Sequence, residues 1–138
     1  MSYAGDITPL EAWKLLSDHP RAVLVDVRTD AEWRFVGVPD LSGLGREVLF
    51  IEWNTTEGKQ NESFADQLRE RVKDADAGRP VIFLCRSGYR SACAAQAATQ
   101  VGITPAYNVL HGFEGHLDAL GQCGQTGWRA TGLPFKRQ

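Results

Sequence analysis

The 138-residue chain is 43% apolar and 23% charged, an ordinary globular composition, and it is long enough for one domain with a buried core. Its 15 basic and 17 acidic side chains leave a net charge of -2, which excludes the global basic field of a nucleic-acid binder; any anion site must be local. No run reaches the roughly 18 apolar residues of a membrane helix, and the opening Met-Ser-Tyr-Ala-Gly-Asp lacks the pattern of a signal peptide.

Taken in chain order, Thr8-Pro9-Leu10-Glu11 is a capping box with proline at the first helical position, opening a helix on Leu10, Trp13 and Leu16. His19-Pro20 ends it, because the residue before proline is pushed out of the helical region. Ala22 to Val27 reads as a buried strand, and Thr29-Asp30-Ala31-Glu32 is a second capping box, starting a short helix through Trp33 and Phe35. Gly37 to Gly45, with Pro39, reads as a loop, Val48 to Trp53 as a strand and Asn54 to Asn61 as an exposed loop. Glu62 to Val72 is a helix with Phe64, Leu68 and Val72 on one face, broken by Gly78-Arg79-Pro80.

Val81 to Leu84 is apolar on both faces, as a central parallel strand is. Ser91 to Val101 is alanine-rich and helical, closed by Gly102. Ala106 to Leu110 is the last strand, followed by His111-Gly112-Phe113 and a helix to about Leu120; a glycine-rich tail runs from Gly121. The alternation of strands and helices predicts an α/β fold with a mainly parallel sheet. One domain over residues 1–138 is expected, its core at about 7–120 and its C-terminal tail at 121–138. The three cysteines, Cys85, Cys93 and Cys123, fit neither a disulfide framework nor paired zinc knuckles. A cytoplasmic protein with free thiols is expected, with no metal, no cofactor, and neither nucleic acid nor membrane as partner.

One segment carries chemistry: Val81-Ile82-Phe83-Leu84-Cys85-Arg86-Ser87-Gly88-Tyr89-Arg90-Ser91. A strand delivers Cys85 to its carboxyl end, where sites lie in open α/β sheets. A tight loop entering a helix turns backbone N–H groups inward, and the helix dipole adds roughly half a positive charge. Gly88 allows close backbone approach, while Arg86 and Arg90 add two permanent charges. All of these favour a thiolate on Cys85, and the same cradle suits an oxyanion or an anionic persulfide. His19, His111 and His116 all lie outside the loop, which suits a reaction needing little proton transfer.

Leu24-Val25-Asp26-Val27-Arg28, then Glu32-Trp33, then Cys85 to Ser91, then Asn108-Val109-Leu110-His111-Gly112-Phe113 resemble, in that order, a single-domain rhodanese. The resemblance implies a rhodanese-like fold, with a central, mainly parallel five-stranded sheet flanked by helices on both faces. It implies a sulfurtransferase in which Cys85 carries persulfide and Arg86, Ser87, Gly88, Tyr89, Arg90 and Ser91 shape the anion pocket. The implied partners are a small anionic sulfur donor such as thiosulfate and a thiol or cyanide-like acceptor, with a protein acceptor as a further option. Two segments depart from the family pattern. Gly37-Val38-Pro39-Asp40-Leu41-Ser42 replaces a Gly-His-Ile-Pro-Gly-Ala loop, and His111-Gly112 stands where two glycines are usual.

Other assignments are structural. Asp26 and Arg28 are expected to tie the strand exit to neighbouring loops, with Glu32 as a partner for Arg28. Cys93 is expected as a small core residue, Cys123 as an idle thiol in a flexible stretch, His116 as a surface helix residue and the tryptophans as core or lid. Competing functions are a cysteine phosphatase or arsenate reductase, and a non-catalytic partner-binding module. The first requires five residues between cysteine and arginine, whereas four separate Cys85 from Arg90. The second would be expected to lose the cysteine.

Overall fold

The structure, a computed structural model, describes residues 3–72, 79–115 and 126–137. The elements in order are β1 (Gly5–Ile7), α1 (Pro9–Asp18), β2 (Val23–Asp26), α2 (Asp30–Phe35), β3 (Val38–Pro39), a 3-10 turn (Ser42–Leu44) and β4 (Leu49–Phe50). They continue with α3 (Phe64–Arg71), β5 (Val81–Leu84), α4 (Tyr89–Gln100), β6 (Ala106–Val109) and β7 (Phe135–Lys136). Five strands form one parallel sheet in the order β1-β6-β5-β2-β4, which places β5 at its centre. β3 and β7 form a separate antiparallel pair.

Alternation along the central strands divides the core between the two faces. Val23, Val25 and Val27 join Val81, Phe83 and Cys85 under Phe64 and Leu68 of α3 and Ala94, Ala95 and Ala98 of α4. Leu24, Ile82, Leu84 and Val109 face the other way, against Ala12 and Leu16 of α1 and against Phe113, Trp128 and Leu133. Each fully buried Leu, Ile, Val or Phe contributes about 1.5–3 kcal/mol. The small alanines let α4 sit close to the sheet, and this brings its first turn over the end of β5. The sequence expectation of an α/β fold with a five-stranded sheet and helices on both faces therefore holds.

Both capping boxes are present. Thr8 accepts from the Glu11 N–H and Thr29 from the Glu32 N–H, with each glutamate returning to the threonine amide. The 37–45 segment is not only a loop, since Val38–Pro39 pairs with Phe135–Lys136 and Ser42–Leu44 forms a 3-10 turn. The strand expected over Val48–Trp53 is regular only at Leu49–Phe50, although Ile51 and Trp53 still donate to Asp26 and Val27 carbonyls. β1 had no sequence signal: three residues beginning with glycine become a strand only because they pair with Tyr107, Asn108 and Val109.

The core also extends beyond the expected limit of Leu120. Trp128 is fully buried, donates from Nε1 to the Pro134 carbonyl at 2.7 Å, and bonds through its own amide to the Gly112 carbonyl at 2.8 Å. Phe113 and Glu114 lie in turns, and the remainder of the helix expected there falls outside the described residues, as do His116 and Cys123. Cys93 is only half-buried on α4. Among the described residues no helix is long and apolar enough to cross a membrane, and no group of three or more His, Cys, Asp or Glu side chains could hold a metal ion.

Candidate active site

β5 ends at Leu84, so Cys85 is the first residue beyond the central strand and continues the Val81–Phe83 face into the space beneath α4. The residue is 1% exposed. Its Sγ accepts the Gly88 N–H at 3.1 Å and lies 3.2 Å from the Ser91 hydroxyl. Gly88, at φ 113°, is the N-cap of α4 and provides no side-chain cap, so the amides of that helix's first turn are not taken by a capping side chain. A side chain at this φ would be strained, which accounts for glycine here.

The loop rests on the turn after β6. Phe113 N–H donates to the Cys85 carbonyl at 2.8 Å and Glu114 N–H to the Arg86 carbonyl at 2.9 Å. Gly112 is obligatory for that contact, because a Cβ there would lie 2.3 Å from the Cys85 carbonyl oxygen. His111 adopts φ 66°, the left-handed conformation that a glycine would take at the point where the family pattern has two. This turn holds the Cys85 loop in place, a contact that the sequence reading did not anticipate. The signal was the glycine in His111-Gly112, whose need for close approach appears only when the two loops are brought together.

The two loop arginines take different positions. Arg86 is half-exposed and pairs with Glu114, Nε to Oε2 at 3.2 Å. Arg90 makes a two-pronged bond to Glu32, Nη1–Oε1 at 2.7 Å and Nη2–Oε2 at 3.0 Å. Burial alone would lower the Arg90 pKa, but the Glu32 carboxylate, with Cys85 and Asp26 adding to it, holds it above its ordinary value. Burial likewise opposes ionisation of Glu32, and the Arg90 bond, the Thr29 amide and the charges of Arg90 and Arg28 overcome it, leaving its pKa lowered. Glu32 therefore partners Arg90, not Arg28 as the sequence suggested. Their separation of 58 residues hides the pairing from local reading.

Arg28 instead closes on Asp26, both side chains fully buried, with Nη2–Oδ2 at 2.7 Å and a further bond to the Gly37 carbonyl at 2.8 Å. This is the tie between strand exit and loop that the sequence suggested. Its guanidinium also lies 4.3 Å over the Phe113 ring, whose backbone holds the Cys85 carbonyl. Ser87 is exposed, and Tyr89, 78% exposed, points to solvent. Ser91 is fully buried, and its hydroxyl also meets Asn108 Oδ1 at 2.5 Å. The structure thus gathers Gly88 and Ser91 around the Cys85 sulfur, leaves Arg86, Ser87 and Tyr89 exposed at the surface, and uses Arg90 to brace α4 against α2.

The family model described as the STR4 middle domain matches residues 5–138. A protein of Rickettsia conorii is 36% identical over 131 residues, covering 95% of this chain and 96% of that one. The Oryza sativa subsp. indica protein THYLAKOID RHODANESE-LIKE, chloroplastic, is 26% identical over 131 residues, which are 95% of this chain and 25% of that protein. Among solved structures, Rv0390 from M. tuberculosis has a TM-score of 0.92 at 67% identity, with 99% of this chain and 100% of that chain covered. The polysulfide-sulfur transferase homodimer from Wolinella succinogenes has a TM-score of 0.62 at 24% identity, with 96% and 78% covered. The chain belongs to the STR4 middle domain family, and its parallel sheet with Cys85 at the end of the central strand has the rhodanese-like fold.

Proposed function

We propose that this protein is a sulfurtransferase that carries sulfane sulfur as a persulfide on Cys85. The observation that supports it best is the setting of Sγ, bonded to the Gly88 amide at the uncapped start of α4. In the loading step, Cys85 thiolate attacks the sulfane sulfur of a small anionic donor such as thiosulfate. The donor's S–S bond breaks with its electron pair leaving on sulfite, and a new S–S bond forms on Cys85. In the discharge step a thiol, cyanide or a protein acceptor attacks the outer sulfur, and Cys85 leaves as thiolate. Neither step requires a general base if the attacking nucleophile, thiolate sulfur or cyanide carbon, is already anionic.

On this reading the main-chain amides of Ser87, Gly88 and Tyr89 receive negative charge, with Ser91 packed beside the inner sulfur. Arg86 draws the donor to the mouth, and Arg90 supplies a fixed positive field while held on Glu32. A cytoplasmic setting, in which thiols stay reduced, suits this chemistry.

The test is a thiosulfate and cyanide assay following thiocyanate, with intact-mass measurement of the protein. The wild type is expected to turn over and to gain one sulfur atom on the Cys85 peptide, removable by cyanide. Cys85→Ser is expected to lose both. Absence of thiocyanate together with hydrolysis of an aryl phosphate would overturn the proposal, and added sulfur on Cys93 or Cys123 would overturn the site.

A further inference from the structure

Behind Ser91 a line of polar groups leads from the sulfur to the far edge of the sheet. Ser91 Oγ meets Asn108 Oδ1 at 2.5 Å, Asn108 Nδ2 donates to Asp6 Oδ1 at 3.0 Å, and the Tyr3 hydroxyl donates to the same Asp6 oxygen at 2.7 Å. Asp6 and Asn108 are register partners on β1 and β6. Ser91 and Asn108 are buried, while Asp6 is exposed on the edge strand.

The direction of these bonds follows from what each group can donate. The Asn108 amide turns its NH2 toward Asp6, so its oxygen faces Ser91. That oxygen only accepts, so the single Ser91 proton goes to Asn108. Ser91 then presents lone pairs to Cys85 Sγ, an arrangement that welcomes an S–H donor. It welcomes a persulfide equally, because the inner sulfur of a persulfide is neutral and makes little demand for a donor. It opposes a bare thiolate, which would have to pull the Ser91 proton away from Asn108.

We propose that Asn108, oriented by Asp6, is a positioning residue that holds the Ser91 proton off Cys85 Sγ and so favours a sulfur bearing a second covalent substituent, hydrogen or sulfane sulfur, over the bare thiolate. The Gly88 amide acts in the opposite sense, by donating to the sulfur. The resting thiol is thereby restrained, and the loaded persulfide is retained relative to the free thiolate. The inference rests on Cys85 being the reacting thiol. Iodoacetamide reads that thiol without any sulfur donor, so the inference fails or survives separately from sulfur transfer.

The test measures iodoacetamide alkylation of the Cys85 peptide at pH 7, together with the ultraviolet thiolate absorbance lost on Cys85→Ser. Asn108→Leu frees the Ser91 proton and is expected to raise alkylation about tenfold, the worth of one hydrogen bond to a charged group. Asp6→Ala, at an exposed position on the edge strand, is expected to move both readouts in the same direction by less. Tyr3→Phe leaves the Asp6 carboxylate in place and is expected to change neither. Each gain should vanish in a Ser91→Ala background, because the effect acts through that hydroxyl. Equal or slower alkylation in folded Asn108→Leu or Asp6→Ala, or a gain that persists with Ser91→Ala, would overturn the inference.

Discussion

β2 and β5 are adjacent parallel strands whose last residues, Asp26 and Leu84, sit side by side, and each leads through a short loop into a helix. The two exits use this shared geometry in opposite ways. After β2, Arg28 neutralises Asp26 in a sealed pair, and α2 begins under a complete capping box from Thr29 and Glu32. After β5, the apolar Leu84 stands beside Asp26 and is followed by the Cys85 thiol, and α4 begins at Gly88 with no side-chain cap. An exit that neutralises its charge and caps its helix from within is structural, whereas one that leaves its helix start uncapped can take a ligand. Glu32 joins the two, capping α2 with one oxygen while both its oxygens hold Arg90 of α4.

Breaking the sealed exit should have the largest effect on stability. Arg28→Met leaves Asp26 buried without its counter-charge and is expected to cost about 3–5 kcal/mol, read from urea unfolding. A loss below about 1 kcal/mol would mean that Asp26 finds solvent or a new partner, and the comparison of a closed exit with an open one would fail.

The link between the exits should matter less. Glu32→Gln is expected to destabilise by about 2 kcal/mol at neutral pH, within the range for hydrogen bonds to charged groups. Because the folded pKa of Glu32 is lowered, the stability it adds is fully present above its ordinary value of 4.5 and is lost as pH falls through the folded value. The gap between wild type and Glu32→Gln should therefore close in acid. A gap that stays constant below that range would show that the carboxylate's charge is not what braces α4.

Removing only the cap should have the smallest effect. Thr29→Ala is expected to cost about 1 kcal/mol and to leave thiocyanate formation unchanged, since Arg90 keeps both Glu32 oxygens. A parallel fall in transfer rate would show that the two helix starts are coupled more tightly than the single Glu32 link implies.

How much of this was legible in the sequence follows from the range of each interaction. β5, the Cys85 loop and α4 could be read because an apolar run, a glycine and an alanine-rich helix are local signals, and both capping boxes are fixed by spacing within four residues. β1 could not be read, because its strand character comes wholly from β6. The Glu32–Arg90 pair, the Gly112 buttress and the Asp6–Asn108 contact each join distant segments, and composition at either end gives no hint of the other. The burial of Trp128 was hidden by the glycine-rich sequence around it, since a flexible-looking chain still packs when its backbone finds partners such as the Gly112 carbonyl.

The turn after β6 also sets which way the loop's dipoles face. In a planar trans peptide the C=O and the following N–H point in opposite directions. Phe113 and Glu114 hold the Cys85 and Arg86 carbonyls toward that turn, so the amides of Arg86 and Ser87, in the same two peptide planes, are aimed the other way. Their orientation is fixed when the protein folds. On the proposed sulfurtransferase reading, little solvent-like reorganisation would then be needed as negative charge moves between sulfur atoms, because donors are in place beforehand.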